Sequence, residues 1–149
     1  KEVFEELSET MKEELLKENI SIETEPKSKT VIIQELGNRL CQSGYTDQAY
    51  TDAMLATEKM YETVVGFGLA IPHGQSDTVH HSGMAIMAFP QGTIWDDQIV
   101  KMVIALAAKE RDHLRILTDI AIVCSGQEEV NRLACSSIDT IAQAFTAKE

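Results

Sequence analysis

Two runs of apolar residues in the middle of the chain restrict the folds that it can adopt. Met84–Phe89 and Met102–Ala108 are continuous, of strand length, and lack the alternating polar positions of a half-exposed strand. Such runs are typical of central strands that are covered on both faces. Pro90-Gln-Gly92, which follows the first run, predicts a turn between the two strands. A sheet with two buried faces needs helical layers, so the pattern favours an α/β fold.

Helical periodicity and capping residues predict the helices that such a sheet needs. They are a helix capped by Ser28 that ends at Ser43-Gly44, helices capped by Asp47 and by Asp112, and two helices over about Glu128–Cys135 and Ile138–Thr146. Ile20–Ile22 and Leu69–Ile71 are short strand candidates. Because 149 residues are enough for one core, we expect a single α/β domain with a mixed sheet under helical cover.

The N-terminal 25 residues carry more than half of the net negative charge. They contain three Lys and nine Glu, a balance of −6 out of −11 for the whole chain. Their apolar residues recur at spacings of three and four: Val3, Phe4, Leu7, Met11 and Leu15. This spacing predicts an amphipathic helix over 3–17. We therefore expect residues 1–18 to be an acidic helix or linker and residues 19–149 to form the domain.

The composition argues against several functions and predicts a compartment. A net charge of −11 argues against direct binding to nucleic acid or to an anionic membrane, since both require clustered positive charge. No apolar run approaches the roughly 20 residues of a membrane-spanning helix, and the Glu-rich N-terminus does not resemble a signal peptide. Cys41, Cys124 and Cys135 lack CxxC spacing, which is typical of free thiols in a reducing compartment. We therefore expect a cytoplasmic protein.

The clearest chemical signal lies in the segment Gly66-Phe-Gly-Leu-Ala-Ile-Pro-His73-Gly74. A short apolar strand runs into Pro72, which fixes the backbone φ, and Gly74 allows a sharp turn that leaves space and free amides beside the imidazole. A neutral imidazole is a good nucleophile towards phosphorus near pH 7, and the N–P bond that it forms is labile. The segment therefore favours a His73 that accepts a bulky anionic group and passes it on.

His113 is a second candidate for the same chemistry. It follows Asp112, a residue type that caps helices, so it is predicted at a helix start whose free amides and positive dipole end favour an anion. Arg111 and Arg115 flank it and could add positive charge. Positioning, together with neutralisation of the phosphoryl oxygens by amides and cations, is the main requirement for phosphoryl transfer.

Several segments taken together resemble a known family. Ala70-Ile-Pro-His73-Gly74 is followed about forty residues later by a His-Leu pair that opens a helix. The other segments are Met54-Leu-Ala-Thr-Glu-Lys59, Phe89-Pro-Gln-Gly92 and Val103-Ile-Ala-Leu-Ala107. In this order and spacing, from about Asn19 to Phe145, the chain resembles the fructose/mannitol-type EIIA domain. That domain is the cytoplasmic first component of sugar-specific permeases in the bacterial phosphoenolpyruvate-dependent phosphotransferase system.

The resemblance implies both a fold and a function. The implied fold is a mixed sheet of about five strands flanked by helical layers. His73 matches the family's phosphorylated histidine, which takes a phosphoryl group from the phosphocarrier protein HPr and gives it to an EIIB domain. His113 matches a second histidine that orients or stabilises the phosphorylated site, and Gly74 is a phosphate-binding candidate beside His73. The resemblance implies no metal and no organic cofactor.

One position departs from the resemblance. Mannitol-like members carry an Arg where this chain has Thr57, so a cation is missing from the expected phosphate site. Either Lys59, Arg111 or Arg115 substitutes for it, or this member transfers the phosphoryl group more slowly. These three cations and Thr57 are therefore further phosphate-binding candidates.

Two other chemistries and one other biological role compete with this interpretation. The spacing of His80 and His81 with His73 and His113 resembles no closed zinc site, and Ser76-Asp77 lacks the G-x-S-x-G elbow of a hydrolase. Both chemistries are disfavoured. The role that stays open is a regulatory domain of a transcriptional activator or antiterminator, phosphorylated on the same histidine.

Overall fold

The computed structural model describes residues 14–146, which contain five strands and five α-helices. In chain order they are β1 (Leu15–Ile22), α1 (Lys29–Gln42), α2 (Ala49–Met60), β2 (Val64–Gly66), β3 (Leu69–Ala70), β4 (Gly83–Trp95), β5 (Gln98–Ala107), α3 (Glu110–Val123), α4 (Gln127–Ala134) and α5 (Ile138–Thr146). A single 3-10 turn, Ser76–Thr78, follows β3 within this range. None of these helices is long and apolar enough to cross a membrane.

The strands form one mixed sheet in the order β1-β4-β5-β3-β2. The pairs β1–β4 and β5–β3 are parallel, whereas β4–β5 and β3–β2 are antiparallel. The prediction of an α/β domain with a mixed sheet of about five strands is confirmed. Because β3 and β5 are parallel neighbours, their carboxyl ends lie at the same edge of the sheet, where ligands bind in open α/β sheets.

The two apolar runs of the sequence are central strands that are buried on both faces, as predicted. Along β4, Met84 and Ile86 point into a core formed with α3, α4 and α5, whereas Ala85 and Met87 point into a core formed with α1 and α2. Successive side chains of a strand point to opposite faces, so an uninterrupted apolar run serves both cores at once. The helical layers therefore lie on the two sides that the sequence predicts.

The predicted N-terminal helix is wrong where the structure can be compared with it. Residues 15–17, and residue 18 of the predicted linker, form the first half of β1, which pairs in parallel with β4. Leu15 lies opposite Met84 and is buried in the core. The apolar spacing matches a helix, but pairing with an edge of β4 overrides that local pattern. Residues 1–13 lie outside the described residues, so the helix predicted for them stays a prediction.

The turn predicted at Pro90-Gln-Gly92 is also wrong, because these residues lie inside β4. The register of the β4–β5 pair shifts between Ala88 and Thr93, and such an irregularity accommodates a proline that cannot donate to the ladder. The chain reverses instead at Asp96 and Asp97, where φ is +51° and +71°. A two-residue hairpin loop favours positive φ at both central positions, and Asp tolerates it.

The predicted helix starts have mixed outcomes. The Ser28 hydroxyl accepts a hydrogen bond from the Val31 amide, so this cap is confirmed. Asp47 lies one residue before the N-cap position of α2, and its carboxylate contacts His80 instead. α3 begins at Glu110, so Asp112 lies in the first turn and is not the N-cap. His113 consequently lies in the first turn of α3 and not at its first residue.

Candidate functional site

His73 lies three residues after β3, at the carboxyl end of the parallel β3–β5 pair. The Leu106 amide of β5 donates a hydrogen bond of 2.9 Å to the Pro72 carbonyl, and His73 forms an isolated bridge with Leu106. The proline that precedes the histidine is therefore held against a central strand. The backbone delivers a half-buried imidazole to the edge of the sheet.

The backbone also selects the tautomer of His73. Its Nδ1 lies 3.0 Å from the Ile71 carbonyl oxygen. Because a carbonyl oxygen only accepts, Nδ1 carries the proton in this contact. In the neutral ring the lone pair is then on Nε2. That nitrogen is the nucleophilic atom of the imidazole in this geometry.

His113 lies beside His73 although forty residues separate them in the sequence. The two ring centroids are 5.9 Å apart and the ring planes meet at 68°, an edge-on arrangement. β5 leads directly into α3, and β3 leads directly into the His73 segment. The parallel pairing of β3 and β5 therefore brings the two histidines together at one edge of the sheet.

The Gly74 amide is not free, contrary to the prediction. It donates a hydrogen bond of 2.9 Å to the hydroxyl of Tyr50, which in turn donates to the Leu106 carbonyl at 2.7 Å. Burial raises the pKa of Tyr50 to about 12. The need for glycine is steric, since a Cβ at position 74 would lie 2.9 Å from Cβ of Ala53. Gly74 therefore lets α2 pack against the backbone that follows His73.

The cationic candidates differ in how far other groups already engage them. Arg115 is bonded to Glu14 through two hydrogen bonds and lies within 3.6 Å of Asp112 and 3.7 Å of Asp119. The hydrogen bond to Glu14 is the main reason that the pKa of Arg115 is raised. A guanidinium held by three carboxylates is a poor substitute for the missing Arg.

Lys59 and Arg111 are exposed, and neither forms an ion pair with any residue in 14–146. Thr57 is buried and lies one turn after Ala53 on α2. Residues four apart share one face of a helix, so Thr57 is on the face of α2 that meets residues 71–74, the histidine loop, whereas Lys59 is not. Arg111 and Arg115 each lie two residues from His113, but only Arg115 is paired with carboxylates among residues 14–146.

Two residues of the site were missed by sequence analysis. One is Tyr50, whose hydroxyl accepts from the Gly74 amide of the histidine loop and donates to the Leu106 carbonyl of β5. The other is Ser82, whose buried hydroxyl accepts from the Lys109 amide at 2.9 Å and donates to Asp112 at 2.7 Å, tying the start of α3 to the strand region. No local pattern indicates either residue, because both act through partners at least 24 positions away.

Comparison with known proteins assigns the chain to a class of protein. Residues 13–148 match the family described as "Phosphoenolpyruvate-dependent sugar phosphotransferase system, EIIA 2". The mannitol-specific phosphotransferase enzyme IIA component of Staphylococcus aureus strain Mu50 is 37% identical over 139 residues, which cover 91% of this chain and 96% of the relative.

Solved structures agree with the sequence match. The crystal structure of IIA mannitol from Escherichia coli gives a TM-score of 0.75 at 29% identity, over 86% of this chain and 96% of that one. A chain from the Escherichia coli complex of mannitol enzyme IIA with phosphorylated mannitol enzyme IIB gives 0.78 at 27% identity, over 88% and 96%. The chain belongs to the EIIA type 2 family of the phosphoenolpyruvate-dependent sugar phosphotransferase system. It is a phosphotransferase component that works through a phosphohistidine, and the resemblance drawn from its sequence is confirmed.

Proposed function

We propose that this protein accepts a phosphoryl group from HPr on Nε2 of His73 and passes it to an EIIB domain in the cytoplasm, for the uptake of mannitol. The observation that carries the proposal is the hydrogen bond between Nδ1 of His73 and the Ile71 carbonyl, which leaves the Nε2 lone pair for phosphorus. The 5.9 Å approach of His113 supplies a second imidazole at the same place.

The transfer needs no proton to leave His73. Nε2 attacks phosphorus as the N–P bond in phospho-HPr breaks, and the HPr histidine recovers its electron pair. The ring that forms keeps its Nδ1 proton, which continues to donate to Ile71. This hydrogen bond strengthens as the ring becomes more positive, so it stabilises the transferred state. In the delivery step, a nucleophile of EIIB attacks phosphorus, the Nε2–P bond breaks, and Nε2 of His73 recovers its lone pair.

We propose that His113, in the first turn of α3, orients the phosphoryl group. Because the ring centroids of His73 and His113 are 5.9 Å apart, an N–H of His113 can donate a hydrogen bond to an oxygen of a phosphoryl group on His73. The first turn of a helix also favours an anion. Arg111 adds positive charge from the same turn. An unpaired Arg at position 57 of α2 would place more positive charge at the phosphoryl group than is supplied by Thr57, Lys59 and the paired Arg115. We therefore expect slower transfer than in family members that have an Arg at this position.

The names of related proteins support transport over the regulatory alternative. The Staphylococcus aureus relative, which aligns along 96% of its length, is mannitol-specific. The Escherichia coli complex contains a mannitol enzyme IIA bound to phosphorylated enzyme IIB. On this basis we infer that EIIB of a mannitol permease is the acceptor and that mannitol is the sugar served.

Intact mass after incubation with phosphoenolpyruvate, Enzyme I and HPr tests the site. We expect one acid-labile phosphate on the wild-type chain and none on His73→Ala. His80→Ala is the matched control, since His80 is an exposed histidine seven positions away that pairs with Asp47, and it should retain the phosphate. Phosphate that persists on His73→Ala contradicts the proposal.

A second stage distinguishes the carrier from the regulator. The purified phosphoprotein is mixed with the EIIB domain of a mannitol permease or of a fructose permease. We expect rapid loss of phosphate to the mannitol EIIB and slow loss to the other. A phosphoprotein that accepts from HPr but gives phosphate to neither EIIB domain supports the regulatory alternative.

A further inference from the structure

We propose that Glu58 and Thr63 are positioning residues that hold His73 in the tautomer required for phosphoryl transfer. They act through the backbone of Ile71, whose carbonyl binds the His73 ring. The inference deepens the proposed function and rests on it, because it takes His73 as the phosphorylated residue. It assigns a part in the chemistry to the connection between α2 and β2.

Glu58 forms the fixed end of this connection. Its side chain is 3% exposed near the end of α2. The carboxylate accepts hydrogen bonds from the Thr63 hydroxyl at 2.5 Å, the Thr63 amide at 3.3 Å and Nε1 of Trp95 at 3.2 Å, and Nζ of Lys29 lies 3.6 Å away. A buried carboxylate is tolerated when several donors surround it, so this set of contacts holds Thr63 firmly to α2.

Thr63 leads into a strand that is weakly held by its own pairing. β2 has three residues, lies at the edge of the sheet, and forms two registered pairs with β3 that are separated by an irregularity. Short edge strands have few ladder hydrogen bonds, so their position depends on other contacts. The two hydrogen bonds from Thr63 to Glu58 supply such contacts directly before β2 begins.

From Thr63 the hydrogen bonds continue to the histidine. The Thr63 carbonyl accepts from the Ile71 amide at 2.9 Å, and the Ile71 carbonyl accepts from Nδ1 of His73 at 3.0 Å. On the other side, the Pro72 carbonyl accepts from Leu106. The Ile71-Pro72 backbone is thus held between β5 and Thr63, and the Thr63 side depends on the buried Glu58.

Loss of the Glu58–Thr63 contact changes the chemistry of His73 and not merely the stability of the fold. If Thr63 moves, the Ile71 carbonyl moves with it, and Nδ1 loses its acceptor. The ring then populates the other neutral tautomer, in which the proton is on Nε2 and the lone pair no longer faces phosphorus. Phosphorylation slows because a smaller fraction of molecules can accept the group at any moment.

Three variants of the whole chain test the proposal. Thr63→Val removes the hydroxyl and keeps the shape of the side chain, whereas Thr63→Ser keeps the hydroxyl. Thr93→Val is the matched control: Thr93 is also buried, and its hydroxyl accepts from the Lys27 amide at 3.0 Å and donates to the Lys27 carbonyl at 2.6 Å. It therefore reports the cost of losing a buried hydroxyl elsewhere.

Nitrogen-15 NMR of the imidazole rings measures the His73 tautomer with no partner protein present. We expect Thr63→Val to shift His73 towards the Nε2–H form and to lower the phosphorylation rate at saturating phospho-HPr about tenfold. The concentration of phospho-HPr at half-maximal rate should stay unchanged, since no docking surface is altered. Thr63→Ser and Thr93→Val should keep the wild-type tautomer and rate, even if Thr93→Val is less stable.

A Thr63→Val chain with the wild-type tautomer and rate overturns the proposal, as does a Thr93→Val chain that changes both equally. If Thr63→Val does not fold, Thr63→Ala gives the same test, because it also removes the hydroxyl that donates to Glu58 and leaves a smaller side chain; an unchanged tautomer and rate there overturn the proposal. Failure of the proposed function is separate: it appears as phosphate on His73→Ala, whereas the tautomer is measured without any phosphoryl donor.

Discussion

The two helices that border the site hold it by different kinds of contact. α2 meets the histidine loop through buried, uncharged groups: the Tyr50 hydroxyl bonds the Gly74 amide, and Ala53 packs against the same glycine. α3 carries His113 and is held near the solvent by charge, because Arg115 is paired with Glu14, the residue before β1, and with carboxylates of α3 itself. One border is neutral and closely packed, the other ionic and partly exposed.

This difference predicts how each half of the site responds to substitution and to salt. Breaking a buried hydrogen bond or overfilling a close contact costs about 1–3 kcal/mol and responds little to salt. An exposed ion pair contributes about 0.2–1 kcal/mol and is screened by salt. The proposed nucleophile His73 is therefore held by buried, uncharged contacts with α2 and β5, whereas α3 near His113 combines the buried Ser82 hydrogen bonds with ion pairs that salt can weaken.

The largest effect is expected from Gly74→Ala on the neutral border. A new Cβ would lie 2.9 Å from Ala53 Cβ and 3.2 Å from the Ala53 carbonyl carbon, so the loop or the helix must shift. We expect a loss of about 1–3 kcal/mol in the free energy of unfolding, measured in urea, and a phosphorylation rate about 100-fold lower. Gly126→Ala is the control, since its Cβ would meet only the flexible Glu129 carboxylate at 3.3 Å. A wild-type rate in Gly74→Ala would show that the packing is not critical.

The next largest effect is expected from Tyr50→Phe. The substitution leaves the Gly74 amide and the Leu106 carbonyl without their hydroxyl partner. We expect a loss of about 1–3 kcal/mol and a phosphorylation rate about tenfold lower, measured as above. A variant that keeps wild-type stability and rate would mean that water replaces the hydroxyl at no cost.

The same variant changes the response to alkaline pH. Burial raises the pKa of Tyr50 to about 12, above the value of about 10 for a tyrosine in an unfolded chain. Between these values the unfolded state loses a proton that the folded state keeps, so stability falls as pH rises above about 10. In Tyr50→Phe this fall should be shallower, although burial also raises the pKa of Cys124 to about 12 and leaves part of the slope. Equal slopes in both proteins would contradict the assignment.

A smaller effect is expected when a cation is added to the neutral border. Thr57→Arg places a guanidinium on the α2 face that meets the histidine loop, where it can approach the phosphoryl oxygens. We expect acceptance of phosphate from phospho-HPr to quicken, or hydrolysis of the phosphohistidine to slow, by about three- to tenfold. Thr57→Met adds bulk without charge and is the control. Unchanged rates in timed assays with labelled phosphoenolpyruvate would count against a role for charge at this position.

The smallest effect is expected from Arg115→Ala on the ionic border. We expect a loss of about 1 kcal/mol or less in unfolding free energy, and a smaller loss in about 1 M salt, because screening weakens exposed pairs. The phosphorylation rate at saturating phospho-HPr should stay within about twofold of wild type, since the Arg115 guanidinium is already paired with three carboxylates. A large loss of rate would instead make Arg115 a phosphate ligand.

The parts of the fold that sequence predicted well are those set by local patterns. The apolar runs at Met84–Phe89 and Met102–Ala108 have no other stable place than between two layers, and the Ser28 cap depends on its immediate neighbours. Residues 15–17 were predicted wrongly because helical spacing of apolar residues competes with strand pairing, and the free edge of β4 decides between them. The Pro90 turn failed because a register shift absorbs the proline.

The candidate site likewise has features that local sequence predicts and features that only the tertiary structure sets. The proposal that His73 accepts the phosphoryl group could be drawn from the sequence, since a proline before it and a glycine after it restrict the backbone locally. Three contacts depend instead on the parallel alignment of β3 and β5 and on the helices packed against them. They are the approach of His113 to His73, the hydrogen bond from the Gly74 amide to Tyr50, and the pairing of Arg115 with carboxylates. Contacts between residues 24 to 101 positions apart follow from the packed chain as a whole, because burial and strand pairing, not local preference, bring those groups into contact.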